Sequence, residues 1–190
     1  MPAKRQHISP GQPERTKTGF SELDEITGGF APGELIIVAS RPSMGRTSLL
    51  FNLATHIALV ENKGVALVTP GKDVFPRLLA FHARFNWAKL LCGEATSEDW
   101  QSLRRAGQAL GEANITTCDY KHFDLGYFIF CIERHCENRR CVIIDNFENI
   151  MLPHRRPWKN EKCLQLKDAV RNMPTPMIIS LPLWIEDHSP

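Results

Sequence analysis

Two short stretches combine residue types that can handle a phosphorylated ligand. The first, Ser40-Arg41-Pro42-Ser43-Met44-Gly45-Arg46-Thr47-Ser48, lies between an apolar run and a segment of helical periodicity. The phosphate-binding loop pattern, GxxxxGK followed by Ser or Thr, occupies that position between a strand and a helix. Here Gly45 is the second glycine and Thr47 the hydroxyl residue, while Ser40 stands for the first glycine and Arg46 for the lysine. A loop at a helix N-terminus points backbone N–H groups and the positive dipole end at one spot, which favours phosphate oxygens. The Thr47 hydroxyl suits a magnesium ion. Arg46 keeps the positive charge but spreads it over a longer, planar fork, so binding is expected to be weakened or altered and chemistry to suffer more. The second stretch is Asp145, which closes the apolar run Cys141-Val142-Ile143-Ile144. A carboxylate there can hold magnesium through water; the plainer alternative is a cap for the following turn.

These groups need a scaffold, and the hydrophobic pattern supplies one. Leu35–Ala39 is a short continuous apolar run, as expected of a strand covered on both faces. Strands are also read at 65–68, 114–118, 141–145 and 176–181. Helical spacing separates them: Leu49, Leu50, Leu53, Ile57 and Val60; Val74, Leu78, Phe81 and Phe85; Trp100, Leu103 and Leu110, with Thr96 as a cap and Asp99 at its third position. Leu125, Phe128, Ile129 and Ile132 mark a further helix, as do Cys163, Leu166 and Val170. Before the first strand, Phe20, Leu23 and Ile26 form a short amphipathic stretch closed by Gly28-Gly29. Alternating strands and helices imply a parallel sheet with helices on its faces, because parallel neighbours need crossovers. The carboxyl edge of such a sheet is where ligands bind, and both chemical stretches fall there.

The chain has 190 residues, 43% hydrophobic and 23% charged, with 23 Lys and Arg against 21 Asp and Glu. That balance excludes an overall polybasic coat, though not a local basic patch. No apolar run approaches the ~18 residues of a membrane span, and the start carries no secretory signal. The expectation is a cytoplasmic protein: residues 1–17 a flexible basic, Pro-containing tail, and 18–190 one domain. The six cysteines contain no CxxC pair, so reduced, mostly buried thiols are expected rather than a metal site.

Thr18-Gly19-Phe20-Ser21-Glu22-Leu23-Asp24, Thr27-Gly28-Gly29 and Arg41-Pro42-Ser43-Met44-Gly45 together resemble the C-terminal motor domain of the DnaB family of replicative DNA helicases. The layout is similar from about Arg15 to Trp184. The resemblance implies a RecA-like parallel sheet of the P-loop NTPase type, here without the family's last C-terminal strands. It also implies ATP with magnesium, a hexameric ring and movement on single-stranded DNA during replication. Gly45, Thr47 and Asp145 match the family's phosphate and magnesium positions. Arg46 departs from its lysine. Where the family places a water-activating glutamate after the second strand, the chain reads Thr69-Pro70-Gly71-Lys72, with no carboxylate before Asp73. Pro182 stands where the family has a γ-phosphate-sensing glutamine, and its arginine finger is not matched. Phosphoryl transfer depends on such groups, so the expectation is a hydrolysis-impaired, ATP-binding regulator or partner of replication proteins. An active ATP-dependent helicase and an interaction module without nucleotide are the alternatives. In the family the loop after the fourth strand faces DNA; here Arg155, Arg156, Trp158 and Lys159 fall in it, where cations neutralise phosphates and Trp158 stacks on a base. Missing strands would leave an open sheet edge, a place for self-association or a protein partner.

Overall fold

The computed structural model describes residues 14–70, 73–119, 140–148 and 160–183. In chain order these form α1 (Ser21–Thr27), β1 (Leu35–Ser40), α2 (Arg46–Leu59), β2 (Gly64–Thr69), α3 (Val74–His82), α4 (Trp87–Leu91), α5 (Ser97–Glu112), β3 (Ile115–Asp119), β4 (Arg140–Ile144), α6 (Asn160–Arg171) and β5 (Met177–Pro182). The five strands make one sheet in the order β1-β5-β4-β2-β3, and every pair in it is parallel. The expected α/β sheet is therefore what forms, and its strands carry their C-terminal ends to a common edge.

Successive residues of a strand point to opposite faces, and the core divides accordingly. Val65, Leu67, Cys141, Ile143 and Ile178 pack with Leu50, Leu53 and Ile57 of α2, Leu78 of α3 and Leu110 of α5. Their neighbours Ala66, Val68, Val142, Ile144, Met177 and Ile179 pack with Leu166 and Val170 of α6. Two buried faces explain why these strands read as continuous apolar runs. Thr96 accepts a hydrogen bond from Asp99 N, and the Asp99 carboxylate accepts one from Thr96 N, closing a capping box at the start of α5. Hydrogen bonds donated to the Asp99 carboxylate by Thr96 N and by Thr96 Oγ1, with the nearby Lys89 ammonium, hold this carboxyl below its ordinary pKa despite some desolvation.

Three sequence expectations change. Among the described strands β1 pairs with β5 alone and stands at the end of the sheet, so Ile37 is 54% exposed rather than covered. An edge strand and a central one share the same apolar signature when only one flank differs. Trp100, expected to face inward, is 54% exposed on α5, whose inner face is Leu103, Ala106 and Leu110. In α1 the apolar face is not buried: Ile26 is 84% exposed and Phe20 is the N-cap. Arg15 and Thr16 bond to the segment between α1 and β1. Thr16 and Phe30 exchange backbone hydrogen bonds at 2.7 and 2.8 Å, and Arg15 bonds Gly29 O and the Glu34 carboxylate. The helix expected at 125–132 and the cysteines at 131 and 136 lie outside the described residues. Among those described, Cys92 is exposed, Cys118 half-buried and Cys141 buried, and each is a thiol rather than half of a disulfide.

Candidate nucleotide site

The loop Ser40–Ser48 joins the end of β1 to the first turn of α2. Its backbone is unusual in two places: Ser43 has φ 64° and Gly45, the N-cap of α2, has φ 80°. A positive φ is tolerated by glycine without steric cost, and nothing lies within 4 Å of where a Gly45 Cβ would stand. The loop thus turns back over open space, as close backbone approach to a ligand requires. Arg41, Pro42, Ser43, Met44 and Ser48 line its outer side, with Met44 71% exposed. The far end of β5 supports the loop: Pro182 pairs with Ser40 in register, and Leu183 N donates to Ser40 O at 2.9 Å.

Asp145 follows β4 and is 1% exposed. Thr47 Oγ1 donates to Asp145 Oδ2 at 2.8 Å, joining groups 98 residues apart. Ser180 Oγ donates to Asp145 Oδ1 at 2.8 Å and accepts from Asn146 N at 2.8 Å. Backbone bonds fix the turn from both sides: Asp145 N donates to Val68 O at 2.9 Å and Phe147 N to Ser180 O at 3.0 Å. The sheet's parallel register therefore brings the loop's hydroxyl and the strand-end carboxylate together. A hydroxyl and a carboxylate in contact are the oxygen donor set a hard divalent cation takes, together with water.

Two charged residues flank this pair. Arg46 Nη1 is buried and makes no hydrogen bond among the described residues, and Glu148 Oε2 is in the same condition. Burial pushes the Glu148 carboxyl above its ordinary range; its own backbone N–H and the Arg46 guanidinium pull it down, while Asp145 pushes it further up. Beside the loop opens a cavity of about 620 Å³ whose walls include Thr47, Ser48, Asp73, Arg77 and Trp87. Arg77 lies 5.6 Å from the centre of the Phe51 ring, within cation–π range. Thr69, the last residue of β2, is fully buried and its Oγ1 has no partner among the described residues.

Of the residues the sequence singles out, the structure brings Thr47 into contact with Asp145 and places Gly45, Arg46 and Ser48 around that contact. Gly71, Lys72, Arg155, Arg156, Trp158 and Lys159 lie outside the described residues. Sequence reasoning missed Ser180, Glu148 and the position of Asp73. Ser180 carries no motif; only a polar residue after the apolar run Met177-Ile178-Ile179 hinted at it. Glu148 lies three residues past Asp145, a spacing that places two carboxylates near each other.

The described residues contain no group of three or more His, Cys, Asp or Glu side chains arranged to hold a metal, and no helix among them is long and apolar enough to cross a membrane. The family profile described as "DnaB-like helicase C terminal domain" matches residues 16–181. Among curated proteins, the chain is 35% identical over 186 residues to the replicative DNA helicase DnaC of Bacillus subtilis (strain 168), covering 90% of this chain and 40% of that protein. It is 37% identical over 112 residues to the replicative DNA helicase DnaB of Geobacillus stearothermophilus, covering 57% of this chain and 25% of that protein. Two solved structures share its fold at 22% identity and a TM-score of 0.76. One is described as an ATPase domain, with 96% of this chain and 70% of that one aligned. The other is a DnaB-like replicative helicase described with its interactions with primase, with 95% and 47% aligned.

Proposed function

The chain belongs to the DnaB-like helicase C-terminal domain family, and from that premise we propose that it binds ATP with magnesium at Ser40–Ser48 and is impaired in hydrolysing it. In this reading it is a replication-associated regulator rather than a motor. The observation that carries the binding half is the 2.8 Å bond between Thr47 and Asp145. It lies at the start of a 14-residue helix and at the carboxyl edge of a parallel sheet. The N–H groups of Gly45, Arg46 and Thr47 point outward from the helix start, because the first turn has no intrahelical acceptors for them. The residues fit the ligand: Gly45 leaves the approach open, Arg46 holds an unspent N–H, and Thr47 and Asp145 supply oxygens for the cation. Magnesium, when bound, supplies positive charge to the phosphate oxygens.

The impaired half rests on what surrounds that pair. Arginine replaces the compact ammonium that reaches between phosphates. The end of β5 offers Pro182, which has no side-chain donor or acceptor, opposite Ser40. Catalysis of phosphoryl transfer lies in positioning and electrostatic stabilisation, and each change removes part of it. One observation favours the alternative of an active ATPase: the Asp73 carboxylate lines the same cavity as Thr47. DNA contact by Arg155, Arg156, Trp158 and Lys159, association through the side of β1 that no described strand pairs with, and a cytoplasmic location complete the reading.

The test is calorimetric titration with ATP and magnesium, with phosphate release followed in the same samples. Binding without release is expected, and Thr47→Ala should weaken its magnesium-dependent part. Release at rates of active family members would overturn the impaired half; no binding at millimolar ATP would overturn both halves and leave the interaction module. Arg46→Lys is expected to raise phosphate release while Asp145→Ala in the same background abolishes it.

A further inference from the structure

One charge beside the loop has no role in holding nucleotide in the reading just given. Glu148 follows a turn in which Asn146 takes a φ of 51° and Phe147 is completely buried. The Thr47–Asp145 bond draws the start of α2 against this turn, and Arg46, the residue before Thr47, comes with it. The two carboxylates of the turn are in different circumstances. Each oxygen of Asp145 receives a hydroxyl, from Thr47 and from Ser180. Glu148 keeps Oε2 buried with no donor among the described residues, and Arg46 keeps Nη1 buried with no acceptor among them. A guanidinium N–H and a carboxylate oxygen, both out of water, both unspent and not bonded to each other, thus flank the Thr47–Asp145 contact. Leaving either unpaired is costly. Pairing them satisfies both, and a phosphate arriving at the loop satisfies only the arginine.

We propose that Glu148 is the counter-charge of Arg46 and competes with nucleotide phosphate for it, so that this carboxylate holds down the affinity of the loop; the proposal rests on the nucleotide-binding reading above. The sign follows from charge. Phosphate at the N-terminus of α2 must take the Arg46 charge that otherwise offsets Glu148, and it also meets a second negative group near Asp145. Both effects oppose binding, and neither requires Glu148 to touch the nucleotide. The carboxyl group itself registers the arginine, which partly offsets the upward push of burial and of Asp145. The pairing also suits the residue types. A flexible lysine on a compact charge would swing to the phosphates, whereas the longer fork can bridge from the loop to the turn.

The experiment is calorimetric titration of the purified chain with magnesium-ATP and, separately, magnesium-ADP. Glu148→Gln keeps the shape and removes the charge, and it is expected to tighten both nucleotides about tenfold, the scale of one charge interaction at a partly screened site. Glu148→Asp, which keeps the charge, should restore nearly wild-type affinity. In an Arg46→Ala background most of the gain from Glu148→Gln should vanish, because the competition has lost its object; this non-additivity separates pairing from a structural effect. Binding by Glu148→Gln alone, with none by the wild type, would support the proposal in its strongest form. Equal or weaker binding by Glu148→Gln, or a full gain that survives Arg46→Ala, would overturn it while leaving the nucleotide reading intact. Absence of binding by every variant, with cooperative melting curves, would overturn both. Glu148→Ala carries the same expectation if Gln is not tolerated.

Discussion

The site depends on a few hydroxyl and carboxyl groups that cannot be exchanged independently. Ser180 has no exposure to water and serves Asp145 and the Asn146 N–H at once. Ser180→Ala removes a donor from a buried carboxylate and an acceptor from a backbone N–H, which should lower stability by roughly 1–3 kcal/mol; urea unfolding measures it. Nucleotide-dependent stabilisation should fall as well, because Asp145 loses the group that orients it. Glu148 gives a prediction of opposite sign. Its folded carboxyl lies above the ordinary value, chiefly through burial, so only between the ordinary and the raised value does the folded chain hold a proton that the unfolded chain has released. Stability from this group is present below the ordinary glutamate pKa and is lost as pH rises through the raised value. Glu148→Gln should therefore be more stable than wild type at neutral pH and lose that advantage in acid. Melting curves from about pH 4 to about pH 8, a span that brackets the ordinary glutamate value and the range above it, test this, and an advantage that grew in acid would contradict it.

At the scale of elements, the lead-in to the sheet is held by a close contact rather than by burial of α1. Gly19 has φ 83°, and an added Cβ would stand 2.5 Å from His56 Nδ1 on α2. Asp24 of α1 accepts hydrogen bonds from Thr18 N and Gly19 N at 2.9 and 3.3 Å, holding that backbone in place. Gly19→Ala meets both a left-handed backbone, costing about 1–2 kcal/mol, and the imidazole ring. The melting temperature should fall, and His56→Ala should return only the share due to the ring. The sequence made parts of this legible and hid others. Thr96 and Asp99 announce the capping box because its chemistry is local. Leu50, Leu53 and Ile57 announce the inner face of α2 because burial imposes helical spacing. Ile26 and Trp100 follow the same spacing yet remain exposed, since periodicity shows that a face is apolar but not that anything covers it. Gly19 offers no sign of His56, which approaches from a distant part of the chain.

At the scale of the whole molecule, motif and topology answer different questions. The loop pattern and the strand-end Asp145 are visible in the sequence, but their contact depends on the order β1-β5-β4-β2-β3, which no local signal encodes. That order also decides the fate of β1. Leu35-Ile36-Ile37-Val38-Ala39-Ser40 has no charge and no proline, and on its outer side no strand pairs with it among the described residues. Natural edge strands are usually protected by charges, prolines or bulges; β1 has neither charge nor proline and carries the Ser40–Ser48 loop at its end. A second β1 related by two-fold symmetry could pair with it antiparallel, satisfying both rows of backbone groups with one contact. Sedimentation at rising protein concentration should show a reversible dimer. Ile37→Lys places an ammonium at the 54% exposed Ile37 position and should shift the chain to monomer with little loss of stability, because it removes little core packing. A wild-type monomer at high concentration, or a dimer indifferent to Ile37→Lys, would remove β1 as the self-pairing edge. Since Ser40 ends the paired strand and begins the loop, pairing through β1 should also slow hydrogen exchange at the loop's first residues.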